Sequence, residues 1–133
     1  EHDRQYFANL RLAAKGLNIK FYVNASLHQL NTLYKDSHFY WHGTGINESM
    51  EKNPEVFEHF GITPIEAMAN NLIPIVWKEG GPAEVVHNNE KYIANTLTEY
   101  GLKTIENLNE TTIDVDIEKY SDQVFKNKIR NLI

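Results

Sequence analysis

Cysteine is absent from the 133 residues, so no disulfide holds the fold and nothing in it calls for an oxidising compartment. No apolar run is long enough to cross a bilayer, which argues against a membrane-spanning helix. Basic charge is scarce as well: 13 Lys and Arg stand against 18 Asp and Glu, a net charge of -5. A nucleic-acid backbone is gripped by a basic surface, so nucleic acid is not expected as a partner, and any phosphate must be held locally by backbone N–H groups and a helix end. Neither a secretory signal nor a transit peptide is visible, and the chain is expected in the cytoplasm. It also lacks an initiator Met, which suggests a piece excised from a longer protein.

What remains is ordinary globular composition, with 41% hydrophobic and 23% charged residues. A chain of this length is expected to form one domain that buries roughly two thirds of its unfolded surface, with no second core. Asn-x-Ser/Thr triplets at Asn24, Asn47 and Asn109 are discounted, because Asn is frequent enough here for chance matches.

Periodicity sets out the elements. Tyr6, Phe7, Leu10, Ala13 and Ala14 fall at helical spacing between a capping Asp3 and a terminating Gly16. Ile19–Val23 alternates as a short strand, and Ser26 with Gln29 forms a capping box ahead of Leu27, Leu30, Leu33 and Tyr34. His38–His42 reads as a strand covered on both faces. A long connection, Gly43 to Ile62, precedes a helix from Thr63 to Asn71, which is followed by a buried strand Leu72–Trp77, a Gly80-Gly81 turn and a helical turn over Ala83–Val86. Tyr92–Ala94 is a further short strand. Thr96 and Glu99 cap a helix with Leu97, Ile105 and Leu108 on one face, and Ser121 opens a last helix carrying Val124, Phe125, Ile129 and Leu132. Strands separated by helices imply an α/β fold with a parallel sheet, whose ligands sit outside the carboxyl ends of the strands. The long connection and the Gly-Gly turn both fall at that edge.

The most informative stretch is Glu58-His59-Phe60-Gly61-Ile62-Thr63-Pro64-Ile65-Glu66-Ala67-Met68-Ala69. A loop carboxylate, a flexible Phe-Gly turn, a helix start at Thr63 with Pro64 at its first position, and a second carboxylate one turn later suit a polyhydroxylated, phosphorylated ligand. Carboxylates accept hydrogen bonds from sugar hydroxyls, and the free N–H groups and positive dipole end of a helix attract phosphate. The spacing of Thr63 and Glu66 also fits a capping box, in which Glu66 merely satisfies a backbone N–H, and spacing alone favours that use. Glu58 alone could equally be a solvated loop carboxylate.

These residues resemble the donor-binding signature of the retaining nucleotide-sugar glycosyltransferases of family 4, the glycosyl transferases group 1. The signature has two Glu separated by seven residues, Phe-Gly between them and Glu-Ala-Met-Ala at the second, then a Gly-Gly turn followed by Glu-Val-Val, here Gly80-Gly81-Pro82-Ala83-Glu84-Val85-Val86. Looser matches at Asn24–Leu27, Leu33-Tyr34 and Tyr120–Phe125 extend the resemblance over nearly the whole chain. It implies a Rossmann-like three-layer α/β/α domain, the partial second half of a GT-B fold, spanning residues 1–133. It also assigns roles: Glu58 to hydroxyls of the donated sugar and to catalysis, Glu66 to the ribose, and His59, Phe60, Gly61, Ile62 and Thr63 to the turn facing sugar and distal phosphate. Gly80 and Gly81 become an additional ligand edge. His59 stands where the family commonly has Gly, which bears on which sugar fits.

The implied partners are a nucleotide-sugar donor as substrate, with no cofactor and no bound metal, and an acceptor-binding domain of the same polypeptide, acting on a glycan, lipid or other acceptor. The parent is expected in the cytoplasm, with peripheral association at the inner face of a membrane left open. The family's diphosphate-gripping Arg and Lys have no counterpart in context here, since Arg4, Arg11 and Lys15 lie in a helix, so the piece by itself is expected to be inactive. A non-catalytic nucleotide-sugar module is the alternative. His38, His42 and His59 raise the question of a metal, but no fourth ligand or tight spacing accompanies them. Asp114-Val115-Asp116 reads as a solvated charge pair.

Overall fold

The computed structural model describes residues 2–130; of the expected apolar positions of the last helix, Leu132 and the side chains of Phe125 and Ile129 lie outside what it describes. The chain divides into two compact units, Glu1–Leu30 and Asn31–Ile133.

In the first unit, α1 (His2–Ala13) covers most of the expected first helix, with Asp3 inside its first turn rather than capping it. Gly16 ends that region in the left-handed conformation, φ 83°. Ile19–Val23 is not a strand, contrary to the alternation. Alternation supplies a face but not a partner, and among the described residues no ladder includes this segment. Phe21 instead packs edge-on against Phe7, with ring centroids 5.4 Å apart. Ser26 and Gln29 form the expected box: Gln29 N–H donates to Ser26 Oγ, and Ser26 N–H donates to Gln29 Oε1. They open α2 (Leu27–Asp36), which crosses the division between the units. No described residue before Leu30 is buried.

The second unit holds the core. Strands β1 (Phe39–His42), β2 (Ile73–Trp77) and β3 (Ile93–Ala94) form a parallel sheet in that order. Tyr40 pairs with Pro74, His42 with Val76, and Val76 with Ile93. All of β2 is buried, as its unbroken apolar run requires. Pro74 is tolerated in this central strand because Val76 and Lys78 N–H groups point toward β3. By alternation the N–H that Pro74 lacks would point the same way, before β3 begins. β1 departs from the expectation of cover on both faces: Trp41 is 56% exposed, as suits a strand at the sheet's edge.

Helix α3 (Ile62–Ala69) covers one face, its Thr63 bonded to Tyr40. Helix α5 (Leu97–Glu106) covers the other, where Thr104 accepts from the Trp41 indole and Tyr100 packs against Trp41. The result is the expected α/β, Rossmann-like arrangement. Thr96 caps α5 as expected, its hydroxyl accepting from Glu99 N–H. The face carrying Leu97, Ile105 and Leu108 is exposed, however, and Tyr100 is the buried residue of this helix. A short α4 (Gly81–Val85) follows β2, and α6 (Asp122–Arg130) closes the chain, with Ser121 Oγ accepting from Val124 N–H.

Candidate functional site

The 43–61 connection leaves the carboxyl end of β1 and is pinned rather than free. Phe57, 4% exposed, is its anchor in the core, and the side chain of Glu79 accepts from Met50 N–H. Immediately after Phe57 the loop is fastened to the Gly-Gly turn, where Gly81 N–H donates to Glu58 O at 2.8 Å. A Cβ on Gly81 would collide with the backbone of His59 and Phe60, so only Gly permits this approach. Gly80 and Gly81 therefore hold the carboxylate loop, and the Gly81 amide already has its acceptor.

Helix α3 does not start where the sequence suggests. Its N-cap is Gly61, at φ 87°, with no side-chain cap. A single left-handed residue turns the chain into the helix two positions before Thr63 could serve, and Pro82 crowds the Gly61 Cα so that a side chain there would meet it at 3.1 Å. The Thr63–Glu66 capping box consequently does not form. Thr63 Oγ1 accepts instead from Tyr40 OH at 2.8 Å, and Glu66 Oε2 accepts from Tyr34 OH at 3.4 Å.

Glu58 lies in the loop just before α3, and Glu66 within that helix. Both carboxylates act on the Tyr40 phenol, whose pKa is raised chiefly by burial and further by Glu66 and Glu58, against the opposing effect of the Thr63 bond. Burial and then Glu66 also push Tyr34 up to about 12. Glu58 itself is held below the ordinary carboxylate range, first by the Phe60 N–H that donates to its Oε1 at 3.3 Å, then by the neighbouring Gly61 N–H and by His42. An acid kept ionised in this way accepts hydrogen bonds and does not donate a proton near neutrality.

Of the other expected site residues, Phe60 is half-exposed and packs edge-on against Tyr120, with centroids 5.8 Å apart, while Ile62 and the side chain of His59 are exposed. The structure adds three residues that motif reading did not assign to the site: Tyr34, Tyr40 and His42. Tyr40 and His42 were findable, since two-residue alternation at the carboxyl end of a strand places both on the ligand side. Tyr34 depends on how α2 meets α3, which no spacing encodes. Among the described residues no three His, Cys, Asp or Glu side chains converge on a metal-sized space. Asp116 is engaged locally, accepting from Glu118 N–H. A cavity of about 270 Å³ exists elsewhere, at the far end of α3, lined by Met68, Asn71 and the 111–117 segment. It touches neither carboxylate.

The profile of the family described as Glycosyl transferases group 1 matches residues 1–130. The chain belongs to this family. A curated relative, the GDP-Man:Man(3)GlcNAc(2)-PP-Dol alpha-1,2-mannosyltransferase of Dictyostelium discoideum, is 34% identical over 104 residues, covering 74% of this chain and 18% of the relative. The chain thus spans less than a fifth of that relative's length. No solved structure gives a significant match. Among the described residues no helix is long and apolar enough to cross a membrane.

Proposed function

We propose that this group 1 domain is the donor-binding part of a retaining hexosyltransferase that uses a nucleoside-diphosphate sugar without a bound metal. The observations that support the reading are the group 1 family match and the two signature glutamates set around the start of α3, where Tyr40 OH donates to Thr63 and Tyr34 OH donates to Glu66. Glu58, ionised, accepts hydrogen bonds from hydroxyls of the donated sugar, and Glu66 accepts from the ribose. The N–H groups of Ile62 and Thr63, with the positive end of α3, face the distal phosphate. As the bond from the anomeric carbon to phosphate oxygen breaks, the acceptor hydroxyl attacks from the same face, and its proton passes to the departing diphosphate. The protein's contribution is to stabilise charge on that leaving group.

The family's diphosphate-gripping cations are not found in their context here, so the chain alone binds donor without transferring it, and a separate acceptor-binding domain completes the enzyme. The relative's name makes GDP-mannose the first donor to try. It also favours a lipid-linked glycan as acceptor, which would bring the parent protein peripherally to the cytoplasmic face of a membrane.

The test is calorimetric titration of the 133-residue chain with GDP-mannose and UDP-glucose. Glu58→Gln and Glu66→Gln are each expected to weaken binding at least tenfold, the scale of a charge-assisted hydrogen bond worth about 1.5–3 kcal/mol. Unaltered affinity in both variants would remove the basis of the proposal.

A further inference from the structure

Glu66 is exposed on α3, and among the described residues no ion pair includes it. The hydrogen bond its carboxylate does accept there comes from Tyr34 OH, which donates to Oε2 at 3.4 Å. The Tyr40 hydroxyl is already committed to Thr63 Oγ1 at 2.8 Å. Tyr34 is 6% exposed and is the buried residue of α2, whereas its acceptor reaches solvent. Burial, and then Glu66, hold the phenol in its protonated form, so it remains a donor near neutrality. A buried hydroxyl needs a partner, and Glu66 is the one it has. The carboxylate is thus open to a ligand on one side and tethered on the other to a ring that packing holds still.

We propose, resting on the donor-binding reading above, that Tyr34 is a positioning residue: it orients the Glu66 carboxylate toward the two vicinal hydroxyls of the ribose, and so makes the site distinguish ribose from its deoxy forms. An ionised carboxylate only accepts, with about four lone-pair sites, so the bond to Tyr34 leaves both oxygens able to take a hydroxyl proton. A vicinal diol presents two donors side by side. A carboxylate already held in one plane meets both, and a freely rotating one does so only by losing side-chain freedom on binding. At 3.4 Å the phenol contact is long for two oxygens, and it shortens when the diol fixes the other side of the carboxylate.

Tyr34→Phe removes the hydroxyl and keeps the ring, and its thermal melt is expected to stay close to the parent's, because water takes over the exposed carboxylate. Calorimetric titrations of the 133-residue chain would compare whichever of GDP and UDP it binds with the form of that nucleotide lacking both ribose hydroxyls. Tyr34→Phe is expected to weaken binding of the diphosphate about three- to tenfold, the worth of ordering one long side chain on binding. Binding of the form without hydroxyls stays as in the parent. In a Glu66→Ala background, where no carboxylate remains to be oriented, Tyr34→Phe changes neither.

In the unmutated chain, which carries no folding risk, the ¹³Cζ resonance of Tyr34 should move on adding the nucleoside diphosphate and not on adding the form without hydroxyls. A Tyr34 resonance unmoved by a bound diphosphate overturns the positioning role whatever the variant does. So do equal losses for the two nucleotides, or full affinity in Tyr34→Phe where Glu66→Ala has lost it, and each leaves the donor-binding reading standing. If the unmutated chain binds neither nucleotide nor nucleotide sugar, both fall together.

Discussion

The two ends of α3 are built on opposite terms. At its amino end, on the carboxyl edge of the sheet, there are two carboxylates, one exposed and one half-buried, tyrosine hydroxyls and an unpaired imidazole nitrogen. At its carboxyl end there is a cavity of about 270 Å³, walled by Met68, Asn71, Ile113, Val115, Ile117 and two threonines. The hollow exists because the irregular 111–117 segment lays alternate apolar side chains, Ile113, Val115 and Ile117, against the core without the regular ladder that would close the gap. The open edge exists because helix and strand ends leave polar groups that must be satisfied by something. That cavity is lined by none of the residues proposed for donor binding.

The contrast is strained most by Gly81→Ala. The added methyl meets main-chain atoms of the carboxylate loop, so the loop must move, and overpacking of this kind costs about 3 kcal/mol or more. Chemical denaturation should show that loss, and calorimetry should show donor binding falling with it, because the same contact fixes Glu58. A Gly81→Ala chain with parental stability would mean the loop is not anchored there.

Met68→Ala probes the other end. Met68 is 1% exposed but already borders the cavity, so its truncation should fall near the lower end of the usual range, about 2–3 kcal/mol. Donor affinity measured on the folded variant should match the parent. A change in affinity would show that the two ends are coupled and break the separation drawn above.

The smallest effect concerns pH. The folded-state pKa of Glu58 is depressed, so its contribution to stability is present above the unfolded-state value and is lost as pH falls from about 4.5 through the lower folded value. Glu58→Gln should therefore flatten the acid limb of a stability-against-pH curve slightly, and thermal melts between pH 3 and 5 would register the difference. A steeper acid limb in the variant would contradict the assigned direction.

Much of the fold was legible in local pattern. The buried run Ile73–Trp77, the Thr96 cap, the Ser26–Gln29 box and the Gly80-Gly81 turn are where spacing puts them, because each is decided by a few neighbouring residues. Two local readings failed for one reason. Ile19–Val23 alternates like a strand yet has no ladder, and Thr63 sits like a cap yet bonds Tyr40, 23 positions away in sequence. In both, local spacing was sound and a tertiary neighbour, absent in one and present in the other, decided the outcome. The two glutamates were found by motif, whereas Tyr34 and the free nitrogen of His42 belong to contacts between elements.

By itself, then, the sequence determined the α/β class, the family and the pair of acids, since periodicity and short motifs are written in adjacent residues. Only the tertiary structure decided that Gly61 and not Thr63 starts α3, that Glu66 meets Tyr34 and not the helix's own amides, and that His42 is buried with a nitrogen to spare. Hydrogen-bond partners and burial are properties of packing between distant segments, and the chain acquires them when those segments meet.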